Sequence, residues 1–241
     1  RKAYSVARWL EDARLALDEA WGQGLVAVVA GGTGLYFRSL ELGLSSIPHV
    51  PSEIRGKWRA ALGERGAPAL HEELAARAPD EARRLRPSDG QRIARALEVL
   101  EATGEPLSAH HARGSATSPL AGAAVTRIAV VPDRPALYRR CDARFVEMME
   151  QGALDEVKQL LALDLDPALP VMRAIGVRSL ARHLAGEIPL DEAIGTAQRE
   201  TRNYAKRQLT WLRHQMPDFE QVGDANAAVA SALTSGANGH T

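Results

Sequence analysis

Leu25-Val26-Ala27-Val28-Val29-Ala30-Gly31-Gly32-Thr33-Gly34-Leu35-Tyr36-Phe37 is the stretch whose reading decides the fold. Six small or branched apolar residues in a row predict a short strand buried on both faces. Three glycines around one threonine break the run, and Leu35, Tyr36 and Phe37 restart an apolar pattern with helical character. A strand feeding a glycine-rich turn and then a helix brings backbone amides to the carboxyl end of a sheet, where open α/β sheets bind ligands. The glycines allow close approach to the backbone, and Thr33 carries the only side-chain hydroxyl of the turn. The same stretch also serves as a tight strand–helix connection with no ligand.

Working outward, residues 4–21 show a helical apolar rhythm at Val6, Trp9, Leu10, Ala13, Leu17 and Ala20, ended by Gly22 and Gly24. A helix leading into a buried strand is half of a parallel crossover unit, so a further strand is expected before residue 1. After the glycine turn, residues 43–51 form a proline-containing loop, and Ser52 is placed to cap a helix. From there to about Thr103 the pattern is wholly helical, the clearest amphipathic run being residues 88–100. Residues 109–124 read as a loop, Val125–Val131 as a second strand, and four helical segments follow over 136–151, 154–163, 173–184 and 190–213. From Gly223 the composition is small and polar, which predicts an unstructured tail.

The 241 residues carry 30 basic and 30 acidic side chains, so any polyanion must be met by local clusters and not by a global field. A lone cysteine, Cys141, excludes an internal disulfide framework and suits a reducing cytoplasm. No apolar run approaches the ~20 residues that cross a bilayer. The expectation is a soluble cytoplasmic protein without membrane association. His110 and His111 have no partner at ligand spacing and read as loop residues.

Basic residues do cluster. Residues 199–213 hold Arg199, Arg202, Lys206, Arg207 and Arg213 against the single acid Glu200. At about 100° per residue, all but Arg207 fall on one stripe roughly 60° wide. Such a stripe repels itself unless an anion lies along it, although a solvated helical face is the plainer reading. Further clusters are Arg92 with Arg95, Arg139 with Arg140 and Arg144, and Arg173 with Arg178 around Gly176. No Gly-x-x-x-x-Gly-Lys-[Ser/Thr] phosphate loop occurs; Gly56-Lys57 is followed by Trp58 and has Pro51 at the first glycine position.

Five blocks taken together resemble the tRNA dimethylallyltransferases, also called tRNA isopentenylpyrophosphate transferases. They are Tyr4-Ser5-Val6-Ala7-Arg8-Trp9, Gly31-Gly32-Thr33-Gly34-Leu35-Tyr36-Phe37, Gln91-Arg92-Ile93-Ala94-Arg95-Ala96-Leu97-Glu98-Val99, Arg173-Ala174-Ile175-Gly176 and Ala205-Lys206-Arg207-Gln208-Leu209-Thr210-Trp211-Leu212-Arg213. They stand in the family order, from the first residues to about Val222.

The resemblance implies an α/β fold, helix-rich overall. A P-loop NTPase-like parallel sheet core flanked by helices would occupy 1–45 and 119–222, with an all-helical tRNA-binding insertion over 46–118 and a disordered tail over 223–241. It implies transfer of a dimethylallyl group from dimethylallyl diphosphate to N6 of adenosine 37 of tRNA, next to the anticodon, with Mg²⁺ assisting. The partners would be the anticodon stem-loop of tRNA and the diphosphate, and the enzyme a monomer with a nucleotide-binding, ATP-binding type of core.

Carried over by motif, Thr33 would line the reaction channel and Arg140 would neutralise the departing diphosphate. Arg55, Gln91, Arg92, Ile93, Ala94 and Arg95 would touch tRNA from the insertion. Arg173, Gly176, Arg178, Lys206, Arg207, Gln208, Thr210 and Arg213 would do so from the core. Two departures stand out. The family's phosphate loop and Asp-Ser-x-Gln segment are expected upstream of Tyr4, so the chain alone is expected to be inactive. Val177 stands where the family usually has Tyr, which leaves the role of that loop open. A catalytically silent tRNA-binding protein is the alternative, and a nucleotide kinase of the same core is a third, disfavoured by the Lys-Arg-Gln-Leu-Thr-Trp block.

Overall fold

The computed structural model describes residues 4–114, 117–167 and 169–237, which fall into two compact units. One unit is built from the chain up to Arg38 and from Gly122 onward; the other is Ser39–Ala121. The helical unit thus spans a wider stretch than the 46–118 expected.

The helical unit is held by one apolar cluster. Helix α3 (Ser52–Arg77) packs on α5 (Gly90–Thr103), with the short α4 (Pro79–Ala82) between them in sequence. Trp58, Leu70, Leu74, Ala78, Ala82, Ile93, Ala94, Ala96 and Leu97 form its centre. Helix α3 is two helices in effect, because Gly66 leaves helical geometry at φ 77° just ahead of Pro68. The proline lacks an amide for the helical ladder, so the break falls where it costs least.

Polar groups trapped at this core have partners. The Trp58 indole donates to Glu101 at 3.0 Å, and Lys57 donates to the same carboxylate at 2.9 Å. His71 Nε2 lies 3.0 Å from the Ala82 carbonyl and 3.1 Å from that of Leu85. Buried Glu81 accepts the Ser108 amide at 3.0 Å, at the start of α6 (Leu107–Ala112). Helix α6 occupies the beginning of the stretch expected as loop. Leu97 is fully buried at the centre, so Leu97→Ala should destabilise this unit by about 2–5 kcal/mol, read from chemical denaturation midpoints.

The other unit begins with α1 (Val6–Gly22), capped by Ser5, whose hydroxyl accepts the Arg8 amide at 3.3 Å. The Tyr4 hydroxyl donates to Asp12 at 2.6 Å, and this bond to a carboxylate holds the phenol above its ordinary pKa. Helix α2 (Gly34–Leu42) follows the glycine turn, and Tyr36 stacks on Trp9 of α1 with ring centres 4.4 Å apart.

Among the described residues the sheet is one parallel pair, β1 (Ile128–Val130) and β2 (Glu220–Val222), with Ile128 opposite Glu220 and Val130 opposite Val222. Helices α7 (Arg134–Glu150), α8 (Ala153–Ala162), α9 (Val177–Leu184) and α10 (Leu190–Gln215) pack around a second cluster of Phe145, Val157, Val177, Leu180, Ile188, Ala193 and Ala197. A short 3₁₀ turn over Pro170–Arg173 occupies the start of the helix expected from 173, and that helix begins only at Val177.

Two further expectations are corrected. Leu25–Ala30 is neither a ladder strand nor buried: Val26 is 91% and Val28 86% exposed. An apolar run becomes a buried strand only when neighbours pair about 4.8 Å away on its edges, and no described residue does so. Second, the chain beyond Gly223 contains a helix, α11 (Ala225–Ala237), with Asp224 accepting the Ala227 amide at 2.8 Å. Its alanine-rich composition favours a helix even without a strongly amphipathic face. Among the described residues no helix is long and apolar enough to cross a membrane.

Candidate active site and tRNA-facing surfaces

The Gly31–Gly34 turn is positioned by α10. Gln208 Nε2 donates to the Gly32 carbonyl at 2.7 Å, and the Trp211 indole lies against Gly34. A Cβ on Gly32 would fall 2.4 Å from Gln208 Nε2, and one on Gly34 would fall 2.1 Å from Trp211 Cδ1. Both glycines are therefore required by the approach of α10.

Thr33 sits at the N-cap of α2. Its carbonyl accepts the Tyr36 amide at 2.9 Å and the Phe37 amide at 3.4 Å. A threonine at an N-cap ordinarily spends its hydroxyl on an amide of the first turn. Here Thr33 is exposed, and its hydroxyl has no partner among the described residues. A hydroxyl and the first amides of a helix thus remain open to an incoming polar group.

Helix α7 starts three residues beyond Val131, capped by Asp133, which accepts the Ala136 amide at 3.2 Å. It carries Arg139, Arg140 and Arg144 to the surface, and none of the three is paired among the described residues. Besides the apolar packing of Phe145 against Ala193 and Ala197, one polar residue ties this helix to α10. Asp142 forms an ion pair with Arg202, and its carbonyl accepts Gln198 Nε2 at 3.1 Å. Arg202, read in sequence as part of an anion-facing stripe, is thereby spent on a structural contact.

A polar cleft of about 270 Å³ gathers three of the expected tRNA contacts, Arg173, Arg178 and Arg207, together with Asn203 and Glu200. Arg207 also lies 5.5 Å over the Tyr204 ring. The arginines before and after Gly176 enter the cleft because Gly176 turns the backbone between them at φ 92°. A Cβ there would meet the Phe145 ring at 2.9 Å, so both the conformation and the space demand glycine. Val177 points the other way, into the apolar cluster with Phe145 and Leu180. Lys206, Thr210 and Arg213 are exposed on α10, Arg213 in a second hollow with Arg134, Leu209 and Leu212 beside the end of β1.

In the helical unit, Gln91 and Arg92 are exposed, Arg92 lying 3.5 Å from Asp89. Arg95 is half-exposed and donates to Glu98 at 3.0 Å, and Arg55 reaches the Val50 carbonyl at 3.5 Å. Ile93 and Ala94, expected with them to touch tRNA, are instead core: 0% and 4% exposed. An amphipathic helix of 3.6-residue period cannot present five consecutive residues outward, and these two take the inner face.

Asp142 and Trp211 went unassigned in the sequence. The Asp142 contacts join residues about 60 positions apart, which no local pattern reveals. Trp211 had a signal, since a tryptophan within a basic helix must bury its ring somewhere.

An IPP transferase family model matches residues 1–215. The chain is 55% identical to the tRNA dimethylallyltransferase of Beijerinckia indica over 90% of this chain and 71% of that protein. It is 51% identical to the enzyme of the same name from Nitrobacter hamburgensis, over 92% of this chain and 70% of the other. Among solved structures, the full-length tRNA isopentenylpyrophosphate transferase of Bacillus halodurans is similar with TM-score 0.59 and 27% identity, covering 100% of this chain and 78% of that one. A eukaryotic dimethylallyltransferase acting on tRNA has the same fold with TM-score 0.68, over 88% of this chain and 53% of its own. With the glycine turn, the α10 motif and the arginine cleft assembled as described, the chain belongs to the IPP transferase family.

Proposed function

We infer that this protein is a tRNA prenyltransferase that moves a dimethylallyl group from dimethylallyl diphosphate to N6 of adenosine 37, beside the anticodon. The observation that carries the reading is the junction between the glycine turn and α10, where Gln208 meets Gly32 at 2.7 Å. It joins the open Thr33 hydroxyl to the helix bearing the basic motif.

In the reaction, the N6 lone pair attacks the allylic carbon, the carbon–oxygen bond to diphosphate breaks, and N6 loses a proton to a base or water. The adenine must leave its stack for this to happen. The Thr33 hydroxyl accepts a hydrogen bond from N6–H and aims the lone pair. Arg140 meets the charge that grows on the departing oxygen. Arg173, Arg178 and Arg207 hold tRNA phosphate in their cleft, and Lys206, Thr210 and Arg213 extend that grip along α10. Arg55, Gln91, Arg92 and Arg95 contact tRNA from the helical unit.

Among the described residues no three His, Cys, Asp or Glu side chains gather to cage a metal. Mg²⁺ prefers oxygen donors and keeps several waters, so substrate phosphate would hold it chiefly, with the Thr33 hydroxyl of the right donor type. When bound, the ion would neutralise diphosphate charge.

The test is to incubate the enzyme encoded by the complete gene with unmodified tRNA and dimethylallyl diphosphate, then digest and weigh the nucleosides. A product heavier by one dimethylallyl group on adenosine is expected, and unmodified adenosine would refute the reading. In tRNA-binding titrations over a range of salt concentrations, Arg207→Ala should weaken binding and lower the slope of log affinity against log salt by about one.

A further inference from the structure

Helix α10 has two working faces. At about 100° per residue, Gln208 and Trp211 lie within roughly 60° of each other, while Lys206, Thr210 and Arg213 lie on the opposite side. Exposure agrees: these last three are exposed, whereas Gln208 and Trp211 are half-buried. The inner pair meets the glycine turn at three points. Gln208 Nε2 donates to the Gly32 carbonyl, its amide fills the space where a Gly32 Cβ would sit, and the Trp211 ring edge fills that of Gly34. These two glycines bracket Thr33 directly.

We propose that Gln208 and Trp211 are positioning residues that clamp the turn from both sides of Thr33 and set the placement of its hydroxyl, Gln208 acting on the turn and not on tRNA. The proposal rests on the prenyl-transfer reading and replaces the tRNA contact expected of Gln208 in the sequence. The Gly32 carbonyl has its direction fixed by one amide donor. The rotation of the next peptide plane, which carries Thr33 into the cap of α2, follows from it. The cationic outer face of the same helix takes up tRNA, so one rigid rod spaces the phosphate contacts from the reacting hydroxyl.

The decisive variant is Gln208→Glu, which keeps size but replaces the donor facing the Gly32 carbonyl with an acceptor. At saturating tRNA, kcat should fall about ten-fold while tRNA affinity stays within about two-fold. Hydrogen exchange at the Tyr36 amide, which bonds to the Thr33 carbonyl, should quicken in the same variant whether or not the enzyme is turning over. Gly32→Ala should lower kcat as well, and Gly32→Ala with Gln208→Ala should be no worse than Gln208→Ala alone, because the clash is then gone. Wild-type kcat in Gln208→Glu, or a defect confined to the KM for tRNA, overturns the clamp even if the unaltered enzyme prenylates tRNA. An inactive unaltered enzyme with unchanged exchange overturns both readings. An inactive enzyme with quickened exchange refutes prenyl transfer alone.

Discussion

Replacing Arg140 by alanine is expected to lower kcat by about 10²–10³-fold while tRNA affinity changes by no more than about three-fold. The expectation follows from what the side chain does and does not touch. Arg140 lies in the second turn of α7, just after the strand β1, and is exposed without a partner among the described residues. Its neighbour two places on, Asp142, is committed to Arg202 on α10, so the helix that carries Arg140 is anchored independently of it. Removing an exposed, unpaired guanidinium should therefore leave folding intact and act only where negative charge develops. Allylic diphosphates lose their leaving group with charge building on one oxygen, and a preplaced cation is worth several kcal/mol there. Arg140→Lys should recover part of the loss, keeping the charge without the planar fork. Steady-state kinetics with separate titration of tRNA and diphosphate reads both values; an unchanged kcat would remove Arg140 from the active site.

Gly34→Ala should be the most damaging single methyl in the molecule. The new Cβ would stand 2.1 Å from Trp211 Cδ1 and 2.2 Å from Nε1, far inside contact distance. An indole cannot yield as the end of a flexible chain can, so either the ring swings away from the turn or the turn lifts from α10. Overpacking of this kind costs about 1–3 kcal/mol, which in a domain of this size lowers Tm by roughly 2–12 °C. Turnover should suffer more than stability, because Gly34 is the first residue of α2 and immediately follows Thr33. Thermal melts and kcat measured on the same preparation give both effects. A variant with native Tm and native turnover would mean that the indole does not rest where the structure places it.

How legible these features were depends on whether their causes were local. Helix α5 could be read closely because Asp89 caps it, Gly104 ends it at φ 74°, and its apolar stripe repeats at 3.6 residues. The helices α7, α8 and α10 came within a few residues for similar reasons. Thr33, Arg140 and the arginines about Gly176 stood out in the sequence as residue types in motifs, a hydroxyl among glycines and clustered guanidinium groups, and the structure leaves Thr33 and Arg140 exposed and gathers Arg173 and Arg178 into one cleft. What the clusters hid was direction. Nothing local distinguishes Arg202, bound to Asp142, from Arg207, open to a cleft. The same holds for Gln208, whose amide turns toward a carbonyl 176 residues away in sequence. The strand at Leu25–Ala30 failed for the complementary reason: hydrophobicity predicts that a segment should be covered, and pairing partners determine whether it is.

That segment has a colloidal consequence. Leu25–Ala30 is six residues without charge or proline, largely open to solvent and with no ladder partner among the described residues. These are the properties of a template for edge-to-edge association between chains. Its flanks offer little protection, since Gly24 and Gly31 on either side carry no side chain to obstruct an approaching strand. Whenever this stretch is uncovered, during synthesis or after partial unfolding, the chain's formal charge of zero supplies no long-range repulsion to keep copies apart. The residues that lead into the glycine turn are thus also those where self-association would begin, and covering them is a condition of solubility.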